Sequence, residues 1–179
     1  MRVVAGSAGG RVLLAPEGTN TRPTSDRVRE AIFNILFSLG ATEDATVCDL
    51  YAGSGALGIE ALSRGAKHCT FVERDREAVA VIQENLDTLG FSDTATVVQA
   101  DVLAWVERSH EQGSSFDLVL ADPPYAEEMW ETLLDQVETS FFVAESNNPV
   151  AAHPRWDVVR DKKYGTTLVS VLTRKVSQQ

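Results

Sequence analysis

Apolar positions change their spacing along this chain, and the changes divide it. Val28, Ile32, Ile35, Leu36 and Leu39 recur every three or four residues, which predicts an amphipathic helix running to about Leu39 behind an N-cap at Thr24 or Ser25. From Ala45 onward, short apolar runs alternate with helical stretches. Thr46–Tyr51, His68–Val72, Thr94–Gln99, Asp117–Ala121 and Phe141–Ala144 read as strands. Between them lie predicted helices from the glycine turn to about Arg64, over Asp75–Leu89, over Val102–Arg108 and over Glu127–Glu138. Trp156–Val159 and Thr167–Leu172 predict a closing antiparallel pair, with Lys162-Lys163-Tyr164-Gly165 between them. Repeated βα units with near-continuous apolar strands predict an α/β fold, a doubly wound, mostly parallel sheet of seven strands. Ahead of all this, Val3-Val4 and Val12-Leu13-Leu14 flank Gly9-Gly10 and predict a β-hairpin. An isolated hairpin is marginal in water, so it packs on the body or awaits a partner. The expected division is a hairpin extension over residues 1–20 and one domain over residues 21–179.

Composition narrows the picture only slightly. The chain has 179 residues with 44% hydrophobic content, enough for one well-buried core. No apolar run approaches the roughly 20 residues of a membrane span, and Met1–Gly6 lacks an apolar leader, so a cytoplasmic protein without membrane contact is expected. Cys48 and Cys69 sit in strand-like runs with no Cys/His ligand spacing around them, which predicts two buried thiols and no metal site. Charge is more informative. The net formal charge is −10, yet residues 1–39 carry a net +2, residues 40–154 a net −16, and residues 155–175 a net +4. Two basic ends brought to one face would suit a polyanion. Arg27 and Arg29 open the first helix, where cations oppose the helix dipole, a placement that suggests an anionic ligand.

The chemistry concentrates at the predicted strand ends. Asp122-Pro123-Pro124-Tyr125 must end its strand, because proline donates no ladder hydrogen bond. A carboxylate, backbone carbonyls stiffened by proline rings and an aromatic face then stand together, a receptor for an exocyclic amine on a flat ring. Gly53-x-Gly55-x-x-Gly58 follows a strand and opens a helix, and Glu73 ends the next strand 20 residues after Gly53, placed for ribose hydroxyls. Asp49 precedes the glycines, and Asp101 ends the third strand, in reach of an adenine amine. NAD is the usual ligand of such a fingerprint, but four acids at successive strand ends (Asp49, Glu73, Asp101, Asp122) favour a ligand rich in donors and positive charge. S-adenosylmethionine has a sulfonium, an ammonium, two ribose hydroxyls and an adenine amine.

On these residues the chain resembles the class I S-adenosylmethionine-dependent methyltransferases, a Rossmann-like fold. The resemblance covers residues 45–175 through Asp49-Leu-Tyr-Ala-Gly53-Ser-Gly55, Glu73, Asp101 and Asp122-Pro-Pro-Tyr125. Arg2-Val-Val-Ala-Gly6, Gly10-Arg11, the block Arg22–Leu36 and Tyr164-Gly165-Thr166-Thr167 are similar to the RsmD family. That resemblance implies methylation of a guanine N2 amine in 16S ribosomal RNA, within a 30S subunit or an assembly intermediate, by a monomeric enzyme. It implies Asp122, Pro123 and Tyr125 as catalytic residues. It implies Tyr51, Ser54, Arg74 and Val102 as cofactor contacts beside Asp49, Gly53, Gly55, Glu73, Asp101 and Asp122. Arg2, Arg11, Arg22, Arg27, Lys162 and Lys163 are the candidates for RNA phosphates. The Asp-Pro-Pro-Tyr motif is shared with DNA and protein methyltransferases, so these stay open, as do a nucleotide-binding oxidoreductase and a non-catalytic RNA-binding domain.

Overall fold

The computed structural model describes residues 1–16, 25–124 and 128–175. Helix α1 (Asp26–Ser38) comes first, followed by β1 (Thr46–Leu50), α2 (Ala56–Ser63), β2 (His68–Glu73), α3 (Arg76–Leu89) and β3 (Ala95–Gln99). Then come α4 (Val102–Glu111), β4 (Phe116–Ala121), α5 (Glu128–Gln136), β5 (Thr139–Ser146), β6 (Trp156–Tyr164) and β7 (Thr167–Arg174). The strands form one seven-stranded sheet in the order β3-β2-β1-β4-β5-β7-β6. The first five strands in that order are parallel, and β7 pairs antiparallel with both β5 and β6. The doubly wound, mostly parallel sheet expected from the apolar runs is therefore present.

Both faces of the sheet are covered, so the central strands are mostly apolar, with Asp49 of β1 the buried exception that matters for the site. One core joins Val47, Phe71, Leu118 and Leu120 to Ile32, Phe33, Leu36, Ile59 and Ile82 of the first three helices. The other joins Leu50, Val119, Ala144 and Leu172 to Val102 and Val106 of α4 and Trp130 and Leu133 of α5. Phe142 packs edge-on to Trp130 and Trp156 there, with ring centroids 6.2 and 6.0 Å away. Cys48 and Cys69 are buried free thiols, one in each core.

Helix α1 begins where expected, with Ser25 as N-cap accepting from the Val28 N–H. Its buried face differs from the predicted stripe: Val28, Arg29, Ile32, Phe33 and Leu36 are buried, while Leu39 is exposed. Arg29 and Phe33 turn inward because the helix is covered from a second side by the chain's first residues. Arg29 pairs with Asp26 at 2.7 Å and donates to the Arg2 carbonyl, so it serves packing rather than an anionic ligand. The Arg64 guanidinium lies over the Phe33 ring, 5.2 Å from its centroid.

In place of two hairpin strands, the first residues make a single bridge, Arg2 to Val12, around a turn at Gly6–Gly9. The two arms exchange backbone bonds, Val3 N–H to the Arg11 carbonyl at 2.9 Å, Gly10 N–H to the Val3 carbonyl at 2.8 Å and Leu13 N–H to the Met1 carbonyl at 3.0 Å, and α2 satisfies further backbone groups. Glu60 accepts from Val4 and Ala5 at 2.7 and 3.0 Å, and Ser63 Oγ accepts from Ala8 at 2.9 Å. Gly6, at φ +82°, passes so close to the Ser63 carbonyl that a Cβ would stand 1.8 Å from its oxygen. Val3, Ala8 and Leu13 join the core under α1. At the other end, β6 runs on through Lys162, Lys163 and Tyr164, residues expected in the connection. A two-residue turn, Gly165-Thr166 with Gly165 at φ +61°, is enough to close the β6–β7 pair.

The chain leaves β1 toward β2 and β3 on one side of the sheet and returns through β4 and β5 on the other. Strand order therefore reverses between β1 and β4, and in open α/β sheets the crevice that takes a ligand lies beyond the carboxyl ends of the strands at such a point. Helix α2 reaches the sheet there through Gly58, where a Cβ would lie 2.3 Å from Phe71 Cε1 and 2.7 Å from Cys69 Sγ. Gly58→Ala is expected to destabilise the fold by about 1–3 kcal/mol, the range for overpacking a closed core, read as an earlier urea midpoint. An unchanged midpoint would contradict this contact.

Candidate active site

The crevice floor is the turn from β1 into α2. Tyr51, Gly53 and Gly55 all take left-handed backbone conformations, at φ +60°, +56° and +78°. Such a path favours glycine; at Tyr51 it costs on the order of 1–3 kcal/mol and persists because the surroundings impose it. The loop is braced peptide by peptide. Ala52 N–H donates to the Val72 carbonyl at 3.2 Å, Gly53 N–H to Glu73 Oε2 at 2.9 Å, and Gly55 N–H to the Ala52 carbonyl at 2.7 Å. Space above Gly53 is open: the nearest atom to a Cβ placed there is the Tyr51 carbonyl oxygen at 4.0 Å.

The four acids expected at strand ends surround this loop, in four different environments. Asp49, in β1, is 1% exposed and accepts from the Gly58 N–H at 2.8 Å. Burial pushes its carboxyl well above the usual carboxylate range; the Gly58 bond opposes this, and the charges of Asp122 and Glu73 add to it. Glu73, ending β2, accepts on both oxygens, from Gly53 and from Asp75 N–H at 2.9 Å each. Asp101 stands two residues beyond β3 as the N-cap of α4, accepting from Ala104 N–H at 3.1 Å. Asp122 follows β4 directly and is half-buried, as is Pro123. Because Leu50 pairs with Ala121, Tyr51 and Asp122 leave adjacent strands at the same level.

Tyr51, Arg74 and Asp101 are also brought together. The Tyr51 hydroxyl is buried and has no hydrogen-bond partner among the described residues. Its pKa is pushed up to about 12 by burial and by the Asp101 charge, with Arg74 acting the other way. The Val102 side chain belongs to the core, so what it offers the crevice is backbone at the start of α4. Tyr125 and Arg22 lie outside the described residues. Among the described residues, no group of three or more His, Cys, Asp and Glu could hold a metal ion, and no helix is long and apolar enough to cross a membrane.

The candidate phosphate contacts are scattered. Arg2, Arg11, Arg27, Lys162 and Lys163 are all exposed. Arg11 donates to the Thr88 carbonyl at 3.1 Å near the end of α3, and Arg2 to the Gly10 carbonyl at 3.4 Å. Strand β6 runs in the same direction as β5, so its carboxyl end lies on the crevice edge of the sheet. The rung Ala121–Ala144–Ser170–Asp161 puts Lys162 and Lys163 level with Asp122, three strand spacings away, or about 14 Å. Lys162 Nζ lies over the Tyr164 ring, 5.4 Å from its centroid.

Two residues that brace the site have no part in the sequence-based expectations. Glu60 is fully buried, and Asn85, 2% exposed, bonds both Leu14 and the Ser54 carbonyl. Each carries a visible signal: a single charge within the apolar run Ala56–Ser63, and an amide on the apolar stripe that includes Ile82 and Leu86.

Solved structures with this architecture define the class. The structure of "Putative methyltransferase yhhF" from Escherichia coli superposes with a TM-score of 0.85 at 32% identity, covering 99% of each chain. The fold and the loop are those of an α/β methyltransferase. A profile of the family described as "Conserved hypothetical protein 95" matches residues 1–173. "Putative rRNA methyltransferase YlbH" of Bacillus subtilis is 38% identical over 98% of this chain and 100% of its own length. "Ribosomal RNA small subunit methyltransferase D" of Escherichia coli is 32% identical over 98% of this chain and 90% of its own length. The chain belongs to this family, the RsmD-type methyltransferases.

Asp49 makes a pH prediction. A buried acid whose folded pKa exceeds its unfolded value is penalised when ionised, so its cost grows as pH rises through the folded value and vanishes below the unfolded one. Asp49→Asn keeps an oxygen for the Gly58 N–H and removes the charge. It is expected to flatten the fall of stability as pH rises above the ordinary carboxylate range and to raise the Tm at the upper end of that rise by about 2–4 °C, the shift of ~1 kcal/mol in a chain of this size. Scanning calorimetry across that rise checks it; a lower Tm at the upper end would refute it.

Proposed function

We propose that this protein methylates the exocyclic N2 amine of a guanine in 16S ribosomal RNA, with S-adenosylmethionine as methyl donor. The observation that carries the reading is the position of Asp122-Pro123, one strand from the braced glycine loop at the point where strand order reverses. A 30S particle or assembly intermediate as substrate, a monomeric enzyme and a cytoplasmic setting belong to the same reading. The names of the relatives support ribosomal RNA as the substrate class.

The donor set fits the cofactor. Glu73 is oriented by two backbone N–H groups, and its remaining lone pairs suit ribose hydroxyls. The charges of Asp122 and Glu73 both reach Asp49, so negative charge collects at this end of the sheet, where it favours a cationic ligand. Asp101 and the start of α4, with Tyr51 and Arg74 beside them, line the side where an adenine would lie. When bound, S-adenosylmethionine supplies an electrophilic methyl group on a sulfonium.

The protein's part is positioning and charge. A guanine N2 is a weak nucleophile because its lone pair is shared with the ring. Asp122 and the Pro123 carbonyl accept its N–H bonds, aim the lone pair at the methyl and stabilise positive charge as it develops on nitrogen. Tyr125 stacks on the base, worth about 1–3 kcal/mol in single-stranded recognition. The base enters unstacked, since an N2 inside a helix is out of reach of the crevice. Lys162 and Lys163, on the crevice edge, take flanking phosphates.

The test is tritium transfer from labelled S-adenosylmethionine into 30S particles and bare 16S rRNA, with digestion to identify the modified base. N2-methylguanine is the expected product. Label in a protein or in DNA instead would move the substrate assignment. Asp122→Ala should lower turnover at least about 100-fold, the scale of losing one transition-state acceptor, with cofactor affinity nearly intact by calorimetry. Glu73→Ala should do the reverse and weaken cofactor binding first. Equal losses in both variants would contradict this division of roles. RNA affinity should fall steeply with salt, and Lys162→Ala with Lys163→Ala should lower the slope of log affinity against log salt by roughly 1–2. An unchanged slope removes the hairpin from the interface.

A further inference from the structure

Asn85 lies on the buried face of α3, where a polar side chain is retained only if its hydrogen bonds are met. They are met by two segments remote from each other in sequence. Oδ1 accepts from the Leu14 N–H at 2.8 Å, while Nδ2 donates to the Leu14 carbonyl and to the Ser54 carbonyl, each at 3.1 Å. The amide orientation follows from this set, since the reverse would oppose two donors at Leu14 and two acceptors at Nδ2's place. Ser54 is the middle residue of Gly53-Ser54-Gly55. Its carbonyl is held by Asn85, and the N–H of the same peptide, on Gly55, is held by Ala52 at 2.7 Å. That peptide is fixed at both ends. A further link runs the same way: Ser54 Oγ lies 3.8 Å from Met1 Sδ.

Leu14 sits in the N-terminal segment that also carries Arg2 and Arg11, both exposed candidates for RNA phosphates. We propose that Asn85 is a positioning residue that sets the cofactor loop and the N-terminal segment against each other, so that cofactor affinity and RNA affinity both depend on one buried amide. The proposal rests on the methyltransferase reading above. Coupling of this kind is reciprocal: what orders the loop at Ser54 also orders the chain at Leu14.

Ser63 offers the control. It anchors the same N-terminal segment, at Ala5 and Ala8, without touching Ser54. Asn85→Ala and Asn85→Asp both remove the donors to Ser54 and Leu14. They are expected to weaken S-adenosylhomocysteine binding about 5- to 30-fold, the worth of 1–2 kcal/mol, and to raise the KM for 30S particles, with kcat at saturation changed less than threefold. Ser63→Ala should raise the KM for 30S particles and leave S-adenosylhomocysteine affinity alone. Asn85 variants that melt earlier yet keep both constants within twofold at a temperature where they are folded would show a purely structural amide and overturn the proposal. So would a Ser63→Ala that weakens the cofactor as much as Asn85→Ala does. A readout on the unaltered protein covers the case in which the variants do not fold. Amide exchange at Leu14 should slow when S-adenosylhomocysteine binds, and no change there overturns the coupling. Wild-type protein that binds no S-adenosylhomocysteine would overturn the functional reading itself; binding by the wild type with indifferent Asn85 variants overturns only the coupling.

Discussion

A buried carboxylate holds the end of the first strand to the helix that follows it. Asp49 is almost fully enclosed and takes the Gly58 N–H at 2.8 Å, and that contact exists only because Gly58 has no side chain to separate α2 from Phe71 and Cys69. With α2 seated there, the three residues before it have to turn sharply. Gly53 and Gly55 take positive φ, and Tyr51 is drawn into it as well. The open cradle of the loop, the placing of Glu73 beneath Gly53 and the meeting of Tyr51 with Asp122 across the strand pair all follow from that seat. The penalty of ionising this enclosed acid is increased by the charges of Glu73 and Asp122 beside it.

The polar groups that brace the site from below are buried and multiply bonded. Glu60 ties Val4 and Ala5 to α2 and pairs with Arg64 at 2.7 Å; Arg29 ties α1 to Arg2; Asn85 ties α3 to Leu14 and Ser54. A buried polar group with its partners in place selects one arrangement of the chain, because every alternative leaves it unsatisfied. The first residues are therefore packed on the body of the domain, with Val3, Ala8 and Leu13 in its core.

An acidic protein of net charge −10 acting on RNA needs its charges sorted. Here the acids gather where a cationic ligand fits and along the solvated helices, while Lys162 and Lys163 reach the crevice edge at the end of β6. The β6–β7 hairpin does this by extending one strand past its expected end. Seven successive residues, Asp157 to Lys163, are exposed on a strand paired only with β7. Charged residues along such an edge also discourage pairing with another chain.

What the sequence determined by itself was local. Apolar runs and their spacing were enough for the strands and helices, because periodicity follows directly from burial on one face or two. The turn at Gly53 and Gly55 and the end of β4 before Pro123-Pro124 were legible because glycine permits backbone conformations, and proline forbids them, whatever surrounds them. The tertiary structure decided what depends on contacts between distant segments. Arg29 and Phe33 lie outside the apolar stripe expected for α1, yet both are buried, Arg29 against the Arg2 carbonyl and Phe33 in the core that Val3 and Leu13 join. The expected hairpin keeps one bridge, Arg2 to Val12, with its neighbouring backbone bonds, and only the tertiary structure shows Glu60 and Ser63 of α2 taking the backbone of the turn between. Lys162 and Lys163 read as a turn, yet a glycine at positive φ allows the turn to close in two residues. Asn85 carries no motif at all; its part is visible only where Leu14 and Ser54 meet it, 71 and 31 residues away in the chain.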